Sequence, residues 1–107
     1  MRTPSRMIGA VLMALVAGHS VADELIKPAI KAREKAGYKL FDHNCAHCHG
    51  DDARGDEGPD LHGLTKSDKR LEKIIKEGVK GEMPAFGKKF SDRDVGALIA
   101  FLRTLKN

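Results

Sequence analysis

Cys45-Ala46-His47-Cys48-His49 contains both cysteines of this 107-residue chain. Residues three and four apart lie on one face of a helix, so Cys45 and Cys48 would point in the same direction, with His49 one turn beyond Cys45. This arrangement suits two thioether bonds to the edge of a porphyrin and an imidazole ligand for its iron. We therefore expect one covalently attached haem, held by both cysteines and ligated by His49.

Two other kinds of site also use a C-x-x-C pair. A thioredoxin-like redox pair normally lies beside a βαβ pattern, which this sequence lacks. A zinc site could combine Cys45 and Cys48 with two histidines, but His43, His47 and His62 do not have the paired spacing of a zinc module. The pentapeptide by itself favours haem and leaves both alternatives open. We expect these three histidines to be surface or capping residues.

The first 22 residues have the three parts of a secretory signal peptide. Arg2 and Arg6 provide the positive start, residues 7–18 are apolar and uncharged, and Ser20-Val21-Ala22 supplies small residues before a cleavage point. This apolar run is too short to span a bilayer, which takes about 20 residues. A buried N-terminal helix and a retained anchor are the alternatives. We expect residues 1–22 to be cleaved, residues 23–107 to form a single domain, and the mature protein to be periplasmic.

The composition of the predicted mature chain excludes several classes of protein. Its net charge is +2, lower than the +4 of the whole chain because Arg2 and Arg6 are removed. It has no tryptophan and one tyrosine, so it lacks the aromatic and basic pattern of nucleic-acid-binding proteins. No second apolar run follows, and we expect no stable membrane insertion after cleavage. A domain this small buries a modest core, so a bound cofactor is expected to complete the fold.

Helical patterns account for all the regular structure that the sequence predicts. Residues 24–44 carry an apolar stripe, and we expect the regular helix to begin at Pro28. Ser67 predicts the N-cap of a helix over Asp68–Glu77, and Ser91 predicts the cap of a last helix. The glycine-containing segments between these helices are expected to be long loops, and no alternating strand pattern occurs. The predicted fold class is all-α, with three or more helices and two long loops.

Met83 is the only methionine outside the predicted signal peptide, because Met1, Met7 and Met13 fall within it. It lies in the second long loop, 34 residues after His49. A soft sulfur suits the axial position of haem iron opposite a histidine. The alternative is that Met83 fills a gap in the core. We expect His49 and Met83 to be the two metal ligands.

Several residues resemble those of the small bacterial class I c-type cytochromes. Gly37 and Phe41 resemble the contact residues of that family's first helix, and Phe101 resembles the aromatic residue that crosses it. Gly58-Pro59 resembles the segment whose proline carbonyl accepts a hydrogen bond from the ligating histidine. Met83-Pro84 resembles the family's methionine loop. Two departures occur, because the chain has no tryptophan and Phe101 stands where tyrosine is commoner.

The resemblance implies a cytochrome c fold wrapped around one haem c, in an electron-transfer protein that is not an enzyme. If His49 and Met83 fill both axial positions, no coordination site remains for a substrate. The protein would pass single electrons between a donor and an acceptor protein in transient complexes. One alternative is a haem enzyme or gas sensor with a labile sixth ligand. Another is a cytochrome subunit of a larger dehydrogenase or oxidase, for which the sequence shows no surplus apolar stretch.

Charge is unevenly distributed along the chain. Residues 42–60 carry a net charge of −5, and residues 66–89 carry a net charge of +4. One interpretation is that basic side chains of the second segment steer the protein towards an acidic partner. The other is that they form ordinary solvated faces. The lysines concerned are Lys69, Lys73, Lys76, Lys88 and Lys89.

Overall fold

The computed structural model describes residues 9–10 and 21–107 of the chain, which contain four helices. These are α1 (Val21–Asn44), α2 (Ala46–His49), α3 (Asp68–Glu77) and α4 (Asp92–Leu102). Within the described residues, strand-like pairing is limited to one antiparallel bridge between Val79 and Met83. The prediction of an all-α chain with long connecting loops is confirmed.

Helix α1 starts earlier than the sequence predicted. It begins at Val21, and Pro28 lies inside it instead of in its first turn. A proline inside a helix forfeits one backbone hydrogen bond. The alanine, glutamate and leucine that precede Pro28 are strong helix formers, which explains why the helix extends past it. Of the predicted signal peptide, residues 1–8 and 11–20 lie outside the described residues, and its cleavage stays a prediction.

The packing of α1 on α4 explains the glycine inside α1. A Cβ atom on Gly37 would overlap the carbonyl oxygen of Ala97 and approach the Phe101 Cβ to 2.8 Å. Phe41, one turn further along α1, is 1% exposed, and its ring centroid lies 5.3 Å from that of Phe101. This close approach accounts for a glycine that costs about 1 kcal/mol of helix propensity. The predicted contact between Gly37, Phe41 and Phe101 is confirmed.

Serine caps fix the starts of α3 and α4, as the sequence predicted. The Ser67 hydroxyl oxygen accepts a hydrogen bond from the Arg70 backbone N–H at 3.1 Å. Ser91 and Asp94 form a reciprocal capping box, in which each side chain accepts from the other residue's backbone N–H at 3.1 Å. Such a cap contributes about 1 kcal/mol to helix stability. The loops therefore enter both helices at defined positions.

The loop after α3 folds back over the end of that helix. Gly78 ends α3 with a φ of +70°, and a Cβ there would lie 2.5 Å from the Met83 carbonyl oxygen. Further along, the Phe86 backbone N–H donates to the Ile75 carbonyl at 3.0 Å. These contacts hold the loop that carries Met83 against α3 and the core.

The core lies where α1, α3, α4 and the long loops meet. Within the described ranges, no helix combines the length and the apolarity needed to cross a membrane. The largest of the fully buried core side chains are Phe41, Val95 and Leu98. Phe41 and Leu98 also line the site described next, so the main core and the candidate site share side chains.

Candidate functional site

A cavity of about 650 Å³ lies between α2, α3, α4 and the two long loops. Its volume is within the range of small-molecule and cofactor pockets, about 300–1,000 Å³. Cys45, Cys48, His49 and Met83 all line it. The structure therefore brings together the four residues that the sequence predicted as the cofactor site, from a helical turn and a loop 34 residues further along the chain.

The C-x-x-C-H residues form a compact helical turn directly after α1. The Cys45 backbone N–H donates to the Phe41 carbonyl at 2.8 Å, which continues the hydrogen-bonding pattern of α1. The Cys45 carbonyl in turn accepts from the backbone N–H groups of Cys48 at 3.2 Å and His49 at 3.0 Å. Both thiols are half-buried, and neither forms a disulfide. They are therefore positioned for bonds to one shared group in the cavity.

The His49 ring is oriented by the loop that follows α2. The ring is buried, with 9% of the residue exposed, and its Nδ1 lies 2.9 Å from the Pro59 carbonyl oxygen. A carbonyl oxygen accepts only, so Nδ1 carries the hydrogen and Nε2 presents a lone pair. This tautomer is the one that ligates a metal through Nε2. The predicted contact between the proline carbonyl and the histidine is confirmed.

Gly58 allows this loop to lie against the histidine ring. A Cβ on Gly58 would be 3.0 Å from both Nδ1 and Cε1 of His49. The Gly58 backbone N–H also donates to the Cys48 carbonyl at 2.6 Å, and the Gly55 N–H donates to the His49 carbonyl at 2.7 Å. Three backbone contacts from one loop thus hold the motif and its ring in place.

Met83 reaches the cavity from a tight turn after α3. Its backbone N–H donates to the Val79 carbonyl at 2.8 Å, and its own carbonyl accepts from the Val79 N–H at 2.9 Å. The side chain is half-buried and packs beside the core, so it meets the cavity without being enclosed within the core. The turn therefore places the Met83 side chain at the cavity wall, and its role as a ligand stays a prediction.

Two features weigh against the other uses of a C-x-x-C pair. Burial, and to a lesser extent the neighbouring Cys48, raises the pKa of the Cys45 thiol to about 11, although Lys89 acts in the opposite direction. Redox-active and metal-binding cysteines usually have a lowered pKa. Within the part of the chain that the structure describes, no group of three or more His, Cys, Asp and Glu side chains could hold a metal ion.

The structure describes three further histidines, of which His43 and His62 do not line the cavity. The His62 ring Nδ1 lies 2.9 Å from an Asp60 carboxylate oxygen and 3.3 Å from the Ala53 carbonyl, so it donates to the acidic loop. Its backbone N–H bonds the same carboxylate at 2.8 Å, and these contacts lower the pKa of Asp60. His43 and His47 are exposed. His47 lines the cavity, whereas His43 and His62 do not.

Arg103 stabilises one wall of the cavity, a role that the sequence did not predict. Its guanidinium donates to the carbonyl oxygens of Leu64 and Lys66, and its Nε donates to the Asp68 carboxylate at 2.9 Å. Leu64 and Lys66 both line the cavity. A basic residue at the end of a helix is usually explained by the helix dipole. Nothing in the sequence pattern indicates that its partners lie 35 to 39 residues earlier.

The lysines proposed to steer a partner do not line the cavity. Lys76 donates to Asp92 at 2.6 Å and to Glu72 at 2.7 Å. Both hydrogen bonds raise the pKa of Lys76, and the bond to Asp92 has the larger effect. Lys89 contacts the cavity wall, because its Nζ donates at 2.6 Å to the side-chain oxygen of Asn44, which lines the cavity. The structure therefore gives little support to steering by the basic face of α3.

The residues present fit a covalently bound haem. Two half-buried thiols one turn apart, a buried imidazole with its Nε2 available, and a thioether all meet one cavity. Much of the remaining wall is hydrocarbon, as a porphyrin face requires. The apolar side chains include Phe41, Leu61, Leu64, Leu71, Ile74, Ile75, Phe86, Leu98 and Leu102.

Comparisons with known proteins agree with this assignment. Residues 32–102 match the family described as cytochrome c oxidase, cbb3-type, subunit III. The chain is 34% identical over 101 residues to cytochrome c-551 of Bacillus subtilis (strain 168), covering 88% of this chain and 87% of that protein.

Two solved structures have the same fold. The KustC0563 c-type cytochrome aligns with a TM-score of 0.62 and 27% identity, over 66% of this chain and 98% of that one. Cytochrome cL of Hyphomicrobium denitrificans aligns with a TM-score of 0.67 and 22% identity, over 83% of this chain and 60% of that one. The predicted cytochrome c fold is confirmed by both.

Proposed function

This chain belongs to the family of small class I c-type cytochromes, and we propose that it carries one haem c with His49 and Met83 as axial ligands. Cys45 and Cys48 would hold the haem through two thioether bonds. The protein would then shuttle single electrons between a donor and an acceptor protein, without acting as an enzyme.

The observation that carries the ligand assignment is the contact of His49 with Pro59 inside the cavity. Fixing hydrogen on Nδ1 leaves Nε2 to the metal without any rearrangement of the ring. Met83 supports the second axial position, because it is the methionine whose side chain meets the same cavity. If both side chains ligate the iron, no position on the metal would remain for a substrate.

Bound haem iron supplies reversible one-electron chemistry between Fe(III) and Fe(II), and histidine with methionine ligation raises its potential. The chain supplies everything else. The thiols would hold the cofactor, the Pro59 carbonyl orients the His49 ring, and the apolar wall would keep water from the metal.

The proposed location is the periplasm. The basic start, apolar run and small-residue site of residues 1–22 support export. Haem attachment at a C-x-x-C-H sequence belongs to exported proteins, which supports the same location.

The experiment that tests the proposal is mass spectrometry of the purified protein combined with its visible spectrum. We expect a mass equal to residues 23–107 plus one haem, and spectra typical of six-coordinate haem in both oxidation states. A haem-free mass, or a mass with zinc, would contradict haem attachment. Ready binding of carbon monoxide by the reduced protein would favour a gas sensor or haem enzyme instead.

A second candidate function is that of a subunit in a cbb3-type cytochrome c oxidase, the complex named by the matched family. The structure adds an observation in its favour, since four of the six exposed large hydrophobic residues in the described part of the chain lie early in α1. These are Val21, Leu25, Ile26 and Ile30, of which Val21 would be lost with the proposed cleavage of residues 1–22. Size-exclusion chromatography of the native protein distinguishes the two functions, because a shuttle elutes alone and a subunit elutes with its complex.

A further inference from the structure

We propose that the surface around the cavity opening docks a basic patch on a redox partner, an inference that rests on the proposed electron-transfer function. By the cavity rim we mean the exposed side chains that line the cavity. Its carboxylates are Glu57, Asp60 and Glu82, and its one ammonium group is Lys66. The rim is therefore negative, although the chain as a whole carries a net charge of +4.

The rim carboxylates are available to a partner. Within the described residues, neither Glu57 nor Glu82 forms an ion pair. Asp60 accepts hydrogen bonds from the backbone and ring of His62, which lower its pKa and keep it ionised at neutral pH. The loop around Glu57 and Asp60 adds further acidic side chains at Asp51, Asp52 and Asp56.

The basic groups near the opening are fewer. Lys66 belongs to the rim, and Lys89 lies beside it with its Nζ bonded to the Asn44 side-chain oxygen. His47 also lines the cavity and adds positive charge only when it is protonated. Lys76 is compensated by its two carboxylate partners. With His47 neutral, Lys66 and Lys89 offset two of the three rim carboxylates, and one negative charge remains.

The rim also contains apolar residues that a partner would cover. Pro59, Val79 and Pro84 are exposed and line the cavity, and Val79 is 41% exposed. Apolar contacts surrounded by charged groups are the usual composition of a docking site. A haem held in the cavity would come nearest to solvent at this opening.

The whole chain and the rim lead to opposite expectations. The net charge of +2 on residues 23–107 would attract anions. The local charge of the rim would attract cations. Salt screens charges beyond a Debye length of about 10 Å at 0.1 M. Charges beside the point of electron exchange therefore outweigh those on the far side of the molecule, and we expect the rim to decide which partner reacts faster.

Two small oxidants of opposite charge test this directly on the reduced holoprotein. Tris(phenanthroline)cobalt(III) is a cation and ferricyanide is an anion, and each takes one electron from the haem iron. In stopped-flow measurements over a salt series, we expect the rate with the cobalt cation to fall as salt rises, and the rate with ferricyanide to rise. The reverse pair of slopes would overturn the inference and leave electron transfer intact. Failure of both oxidants would overturn the proposed function itself.

Variants locate the effect on the rim. We expect Glu57→Gln and Glu82→Gln each to slow the cobalt reaction about twofold or more at low salt. Glu77→Gln is the matched control, because Glu77 is exposed at the end of α3 and does not line the cavity. An equal effect of all three substitutions would mean that total charge, and not the rim, controls the rate.

A basic peptide tests docking of a macromolecular partner. We expect an oligolysine peptide to shift backbone amide resonances near Glu57 and Glu82 in heteronuclear NMR spectra of the holoprotein. The Glu57→Gln/Glu82→Gln double variant should weaken these shifts, while the Glu77→Gln control retains them. Shifts confined to the early part of α1, or no shifts at all, would contradict docking at the rim.

Discussion

The backbone of Gly37 in α1 lies against the carbonyl oxygen of Ala97 in α4, with no room for a side chain between the two helices. This contact sets how closely α1 approaches α4. Because the cavity wall includes Phe41 from α1 and Leu98 from α4, the approach also shapes the wall. A contact outside the site therefore helps to define it.

Gly37→Ala is expected to destabilise the holoprotein by about 1–3 kcal/mol, since the added methyl group forces the helices apart. This loss should exceed the gain of about 1 kcal/mol in helix propensity. Chemical denaturation followed by circular dichroism measures the difference. The control is Gly96→Ala in α4, where the new methyl group would meet only the flexible guanidinium end of Arg33. Equal stability of the two variants would show that the Gly37 contact is not tight.

Met83→Ala is expected to leave haem attached and to lower the reduction potential, because a thioether ligand favours Fe(II) over Fe(III). The charge-transfer absorption of sulfur-ligated Fe(III) should be present in the wild type and absent in the variant. The variant should also bind cyanide or carbon monoxide. His62→Ala is the control, because the His62 ring bonds the acidic loop and does not line the cavity. If the reduction potential falls in the His62 variant and is unchanged in the Met83 variant, the assignment of Met83 as a ligand is wrong.

Cys45→Ala or Cys48→Ala is expected to lower the yield of holoprotein, because each removes one of the two attachment points. Without the cofactor, the cavity of about 650 Å³ would leave the core open. The free energy of haem binding would then contribute to folding, so haem-free chains should be largely unfolded when measured by circular dichroism. A haem-free variant with native helix content would show that the fold stands without its cofactor.

Arg103→Ala is expected to destabilise the protein by about 2 kcal/mol, because it removes charged hydrogen bonds to two backbone carbonyls. Asp68→Asn is the control, since it weakens an exposed ion pair that contributes about 0–1 kcal/mol and leaves both carbonyl bonds in place. Denaturant midpoints of the two variants should differ accordingly. Similar midpoints would mean that the ion pair, and not the carbonyl bonds, holds the segment.

The Asp60 carboxylate is expected to contribute to stability in a pH-dependent way. Hydrogen bonds from His62 lower its pKa in the folded protein, so its contribution is complete above the ordinary carboxyl range and is lost as the pH falls through the lowered value. Wild type and Asp60→Asn should therefore differ in melting temperature at neutral pH and converge in acid. A constant difference across the pH series would contradict the role of this carboxylate.

The sequence by itself determined the features that depend on neighbours in the chain. The C-x-x-C-H turn follows from helical periodicity, and the starts of α3 and α4 follow from Ser67 and Ser91, because a cap bonds backbone groups three residues away. The methionine count predicts Met83 as the second ligand, and the structure places this residue at the cavity wall. The resemblance to a family supplied the Pro59 contact, which no local rule would have predicted.

Only the tertiary structure decided the features that join distant segments. One example is the contact of Gly37 with Ala97. Another is the pair of hydrogen bonds from Arg103 to the carbonyls of Leu64 and Lys66. Both join residues far apart in sequence, and no local periodicity predicts that such residues approach each other. The negative charge of the cavity rim also depends on residues that are distant in sequence. It arises from Glu57, Asp60, Lys66 and Glu82 on separate loop segments. Of the lysines in residues 66–89, only Lys66 lines the cavity, and electrostatic effects depend on distance in space and not on position in the sequence.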